Sequence, residues 1–337
     1  MNGPEILFKY RGQVEAEVLD FLREGSTQVD EMLRYQMGWS DGQLANLGKC
    51  LRPTFFLLAC ESLGGDLKQT LPIAVGIEFV HNFSLIHDDI EDDSPTRRHR
   101  PTVWALWGRP QAINAGDAMF TLARTALSGL AAQGVPSDSV LEAFRIFDET
   151  CVRLTEGQYL DMSFEGRLDV TVDEYLTMIG GKTAALLGAS LEIGALVGGA
   201  SSETRAALAE YGRNLGLAFQ IQDDILGIWG DEAVTGKSAA SDILTRKKSL
   251  PVAYALHDPQ VGDALQAIYA RPIDANDVPT VLAMLADAGA QPYAAAAAQS
   301  AHHHALEALD ASDVLADGNP AGQALLALSE SLLNRNT

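Results

Sequence analysis

Apolar and polar positions alternate along most of this chain with a period of three to four residues, which predicts helices that bury one face. Residues 4–37 set Val14, Val18, Leu19, Phe21 and Leu22 among charges, as one amphipathic helix or two would. Pro53, just behind Lys49 and Arg52, belongs early in another helix, with both cations near its start. Between residues 71 and 86 the polar positions thin out, and Ile73-Ala74-Val75-Gly76-Ile77 reads as buried core. Residues 114–130 form a further core helix, and Trp104 and Trp107 are expected to pack against the bundle. Ser139 with Glu142, and Thr171 with Glu174, have the spacing of capping boxes. The pair Gly180-Gly181 predicts a bend or a close backbone approach before Lys182. Residues 184–200, interrupted by Glu192, make a buried helix and no membrane span. Residues 252–337 continue as helical packing. The expectation is an all-α protein.

Length alone, 337 residues, would allow two domains, but no linker or low-complexity block divides the chain, so one domain over 1–337 is expected. A formal charge of −21 leaves no basic face to neutralise phosphates and excludes nucleic acid as a partner. It also makes each local group of Lys and Arg informative. The three cysteines, Cys50, Cys60 and Cys151, have neither metal-ligand spacing nor an even number, which suits reduced thiols in a cytoplasm. Met1-Asn2-Gly3-Pro4-Glu5 carries neither a basic region nor an apolar signal core.

The chemistry is concentrated in acidic clusters on apolar helices. Asp88-Asp89-Ile90-Glu91-Asp92-Asp93 places five carboxylates in six positions at the end of the apolar run. Asp88 and Asp92 share a helix face, roughly 5–6 Å apart at Cβ, where like charges repel. A solvated helix end is the bland reading. Charges at the rim of a core need partners, however, and hard divalent cations prefer oxygen donors, which points to Mg²⁺. Phe219-Gln220-Ile221-Gln222-Asp223-Asp224 repeats the device on a second apolar helix, as metal sites in helical bundles do.

Cations surround these clusters. Lys49 and Arg52 taken alone read as a surface pair. Arg97-Arg98-His99-Arg100 between Pro95 and Pro101 forms a loop that either compensates the aspartates or grips a diphosphate. Lys182, in an apolar stretch, needs an anion. Residues 230–241 suggest a mobile loop that closes over a site, and Arg246-Lys247-Lys248 precedes a further helix. His81 lies two turns before Asp88, and His302-His303-His304 reads as surface, because consecutive helical residues face different ways.

From about Gly48 to Pro251 the sequence resembles the trans-isoprenyl diphosphate synthases, the polyprenyl synthetase family. The resemblance rests on Gly48-Lys49 with Arg52-Pro53, His81, Asp88-Asp89-Ile90-Glu91-Asp92, Arg97-Arg98, Gly157-Gln158, Lys182-Thr183, Phe219 to Asp224, Gly236-Lys237 and Lys247 with Leu250-Pro251. It implies a single large helical bundle around a deep central cavity and a homodimer. It implies Mg²⁺, three ions in all, on Asp88, Asp92 and Asp223, with Asp89, Asp224 and Lys182 in the catalytic set. Isopentenyl diphosphate would be held by Lys49, Arg52, His81 and Arg98. The allylic diphosphate would be held by Arg97, Lys182, Thr183, Gln220, Lys237 and Lys247. Where the family's second motif usually ends in a third aspartate, this chain has Gly227, and Asp231 or Glu232 would supply that charge.

In this family, bulk just before the first motif limits product length. Phe83 is followed here by small Ser84, with Val80, Ile77 and Gly76 beneath, which resembles geranylgeranyl (C20) synthases. A farnesyl (C15) or longer-chain synthase is the alternative. A class I terpene cyclase or irregular coupling enzyme would share the cation chemistry but not the acceptor site of Lys49, Arg52 and His81. A regulatory subunit would have lost its aspartates.

Overall fold

The computed structural model describes residues 3–23, 27–40, 43–44, 48–230 and 240–333. Nearly all of them are helical. The strands among the described residues are two-residue pairs: Trp39–Ser40 with Gln43–Leu44, and Thr96–Arg97 with Arg100–Pro101. The chain divides into two compact units. One comprises residues 1–148, 190–206 and 314–328; the other comprises 149–189, 207–313 and 329–337. No helix among the described residues is long and apolar enough to cross a membrane.

The first unit begins with α1 (Gly3–Arg23) and α2 (Gln28–Gln36), two helices where residues 4–37 allowed one or two. In α1, Ile6, Tyr10, Val14, Val18 and Leu22 recur every four residues and are all buried. The α3 helix (Leu51–Ser62) starts after Cys50, which adopts a left-handed conformation at φ 48°. Lys49 therefore precedes the helix, while Arg52 lies in its first turn.

At the heart of this unit is α4 (Leu67–Glu91). Residues 73–80 of α4 are buried without a break, so the helix is enclosed on every side. Burying a side chain such as Phe79 there contributes on the order of 2 kcal/mol. After α5 (Val103–Trp107), α6 (Arg109–Ala132) buries Ala112, Ala115, Met119, Ala123, Ala126, Leu127 and Leu130 at spacings of three and four. The two tryptophans pack as expected: Trp104 donates Nε1–H to the Ser94 carbonyl at 2.9 Å, and Trp107 meets Tyr35 edge-on at 5.2 Å.

Helix α7 (Ser137–Phe164) opens two residues before the expected cap at Ser139. Glu142 is drawn instead to Arg145, three residues on, at 2.8 Å. The second capping box is present: Thr171 and Glu174 exchange hydrogen bonds at the head of α8 (Val172–Ile179). Residues Gly180–Ala184 then form one π-helical turn before α9 (Ala185–Val197). The glycines explain the turn, because a Cβ at Gly181 would stand 2.5 Å from the Arg153 carbonyl oxygen. One at Gly157 would stand 2.9 Å from the Cα of Lys182. The backbones of α7 and the π turn thus touch, which aims Lys182.

The long helix α10 (Ser202–Trp229) carries the second acidic cluster. In the second unit, its Ile221 and Ile225 pack with Tyr175, Met178, Ile179, Leu250 and Ala253 in one apolar core. Of the three consecutive histidines, His303 and His304 are exposed as expected, whereas His302 is half-buried.

Candidate active site

In the first unit, the end of α4 sorts its acidic residues by depth. Asp88 is half-buried and Asp92, the C-cap, is exposed, whereas Asp89 is turned inward and only 2% exposed. Arg97 donates Nε–H to Asp89 Oδ1 at 2.8 Å. Burial raises the pKa of Asp89, and the Arg97 guanidinium opposes that rise. Arg97 comes from the hairpin after α4, whose tip residues Arg98 and His99 have φ of 51° and 60°, the twist that a two-residue hairpin turn needs. That turn makes the expected loop a tight and specific one.

Arg98 folds back on Gly48, where a Cβ would meet its guanidinium at 3.0–3.2 Å, and the φ of 84° at Gly48 would strain any other residue. Arg52 is half-buried, and its Nε is enclosed with no hydrogen-bond partner. His81 is half-buried on α4. Burial, then the charges of Arg52, Arg98 and Arg97, hold its imidazole well below the ordinary range, so it stays neutral. Lys49 is exposed at the edge.

Set among these cations is Glu78, 2% exposed, which accepts Asn82 Nδ2–H at 3.0 Å. Burial pushes its pKa up to about 7 in spite of Arg52 and Arg98. Sequence reasoning did not assign Glu78 to the site. Its signal was a lone carboxylate inside the apolar run 73–80.

Toward the start of α4 from Asp88, Phe83 is half-buried and meets Phe120 of α6 edge-on at 5.2 Å and His87 at 5.9 Å. Ser84 donates its hydroxyl to the His81 carbonyl, and Val80 is fully buried.

The second unit holds a separate polar network. Asp224, wholly buried, accepts the Tyr175 hydroxyl, Gln220 Nε2–H at 3.2 Å, Lys247 Nζ at 3.2 Å and the Leu250 amide at 3.1 Å. Four donors on one carboxylate anchor α10 to α8 and to the helix Leu250–Ala255. Asp223, its neighbour, is half-buried. Thr183 donates to Gln220 Oε1 at 3.0 Å, and Lys182 is ion-paired with Asp161. Burial opposes the charge on Lys247, but Asp224, Asp242 and Asp161 outweigh it and raise its pKa. Tyr175, Asp161 and Asp242 joined this network unforeseen; no pattern in the sequence ties them to it. Lys237, Asp231, Glu232 and the expected loop over 230–241 fall outside the described residues, apart from buried Gly230 and Ala240 and half-buried Ser241.

The donor chemistry of both clusters suits a hard cation, since Asp88, Asp92 and Asp223 offer only carboxylate oxygens. Among the described residues no three His, Cys, Asp or Glu side chains gather into a group that would hold an ion by themselves.

The polyprenyl synthetase family profile matches residues 40–285. The chain belongs to that family. A farnesyl diphosphate synthase of Mycobacterium tuberculosis is 46% identical over 255 residues, 73% of this chain and 70% of the relative. A geranylgeranyl diphosphate synthase from the same organism is 40% identical over 285 residues, 82% of this chain and 79% of the relative. Among solved structures, a polyprenyl synthetase from Streptomyces coelicolor superposes with a TM-score of 0.90 at 36% identity, covering 98% of this chain and all of the other. The fold is therefore the all-α isoprenoid synthase fold, and the chain is a trans-prenyltransferase. The relatives carry both farnesyl and geranylgeranyl names.

Proposed function

We propose that this chain, as one domain over residues 1–337 and as a cytoplasmic homodimer, joins isopentenyl diphosphate head-to-tail to an allylic diphosphate, with geranylgeranyl diphosphate as the product. The observation that carries the reading is the cluster of Arg52, His81 and Arg98 against Gly48. A cyclase, which has no second diphosphate to bind, has no use for it. In this reading Lys49, Arg52 and Arg98 hold the isopentenyl diphosphate, and neutral His81 donates a hydrogen bond without adding charge.

Lys182, Lys247, Thr183, Gln220, Arg97 and Lys237 hold the allylic diphosphate. Asp88, Asp92 and Asp223 would hold Mg²⁺, which when bound supplies Lewis-acid stabilisation of the departing diphosphate. The cations of the chain would meet the charge that grows on that leaving group, as preorganised charges do in acid- and metal-assisted ionisation. Asp89 and Asp224 act behind these groups, holding Arg97 and Lys247 in place.

Phe83 with small Ser84 behind it supports C20. Phe120 favours a second reading, C15, because it sets another ring 5.2 Å from Phe83. Incubation with labelled isopentenyl diphosphate and C5, C10 or C15 primers tests the proposal: label should enter a C20 diphosphate. Failure to incorporate label from any primer would reject it, and hydrocarbon release from a C15 or C20 diphosphate alone would favour a cyclase. Light scattering on the purified protein tests the dimer.

A further inference from the structure

The second acidic cluster has an aspartate where its sequence lacks one. Gly227 lies one turn beyond Asp223 on α10, so a side chain there would extend the same helix face. A Cβ at Gly227 would collide with the carboxyl group of Asp242, at 2.6 Å from Cγ and 2.9 Å from Oδ1. The backbone at Gly227 is ordinary α-helix, with no conformation that demands glycine. Glycine in a helix interior costs about 1 kcal/mol relative to alanine, so space is the physical reason for it here.

Asp242 is held where it is. It sits in the first turn of the helix Ser241–Leu244, just after Ala240 at φ 58°. Its side chain is 11% exposed, and its Oδ2 lies 3.8 Å from Lys247 Nζ, whose other carboxylate partner is Asp224 at 3.2 Å. A nearly buried carboxylate persists because that ammonium faces it.

We propose that Asp242 supplies the third carboxylate of this cluster, taking over from a neighbouring element the role that the fifth position of the motif would have. It is a positioning residue: with Asp224 it fixes the Lys247 ammonium, and it restores negative charge one turn beyond Asp223, toward a divalent cation bound there. The inference rests on the proposed allylic diphosphate site.

The test is charge relocation. Asp242→Ala should raise both the Mg²⁺ concentration for half-maximal rate and the KM for the allylic diphosphate by about tenfold, with the KM for isopentenyl diphosphate within about twofold. Gly227→Asp should be similarly impaired, because two carboxyl groups then compete for one space. The double variant should recover to within about threefold of wild type, since the charge has moved and the collision is gone. A second readout is the rise in unfolding midpoint when MgCl₂ and inorganic pyrophosphate are added, which should shrink in each single variant and return in the double. Asp242→Asn keeps the shape and guards against misfolding; wild-type Mg²⁺ dependence in it would overturn the inference. So would a double variant no better than the worse single one. A wild-type protein with neither Mg²⁺-dependent transfer nor a midpoint shift would overturn the site reading as well, whereas a normal wild type beside unaltered variants would overturn the role of Asp242 alone.

Discussion

Arg97 donates to Asp89 across 2.8 Å, but the two are unequally placed: Asp89 keeps 2% of its side-chain surface and Arg97 keeps 34%. If Asp89 is neutralised, Arg97 can still turn to water. If Arg97 is removed, a buried carboxylate is stranded. Arg97→Ala is therefore expected to destabilise the fold by about 2 kcal/mol and Asp89→Asn by about 1 kcal/mol, discounted for the exposure of the arginine. Denaturant unfolding of both variants checks the order, and equal or reversed losses would contradict it.

Asp88→Ala and Asp223→Ala are each expected to lower the rate of chain elongation about a hundredfold or more, the scale of losing one preorganised stabilising contact. Neither should unfold the protein, because Asp88 and Asp223 are only half-buried. Steady-state rates with saturating substrates are the measurement. Near-normal turnover in both would remove the metal assignment.

Glu78→Gln should change how stability depends on pH. With its pKa at about 7 against an ordinary 4.5, folded Glu78 keeps a proton that the unfolded chain releases. Its contribution to stability is therefore largest at low pH and declines as pH rises through that window. The variant should gain on wild type between pH 4.5 and 7, by an amount of order 3 kcal/mol at most. His81, which resists protonation, contributes the opposite slope but is present in both proteins and cancels in the difference. A difference that stays constant with pH would show that Glu78 is ionised throughout.

Phe83→Ala should lengthen the product, because it opens the space beside Phe120. Chromatography of the dephosphorylated products checks this. An unchanged profile in Phe83→Ala, with a shift in Phe120→Ala, would move the limit on chain length to α6.

Helices were legible in this sequence because each buries a face and repeats it at 3.6 residues. The α4 helix stood out by having no polar face over residues 73–80. Thr171 and Glu174 announced the start of α8 because a capping box is local chemistry. Ser139 and Glu142 misled for the same reason: the spacing was present, but the helix had already begun and Arg145 was nearer.

That the chain is helical, that two aspartate clusters sit on apolar helices, and which family it resembles could all be read from the order of its residues. These follow from composition and spacing along one chain. The folded chain decided which aspartate of each pair faces inward, that Glu78 is buried near Arg52 and Arg98, and that Asp242 fills the space beside Gly227. Those are contacts between different elements of the fold, where burial and the position of the partner charge, not residue type, set what a carboxylate does.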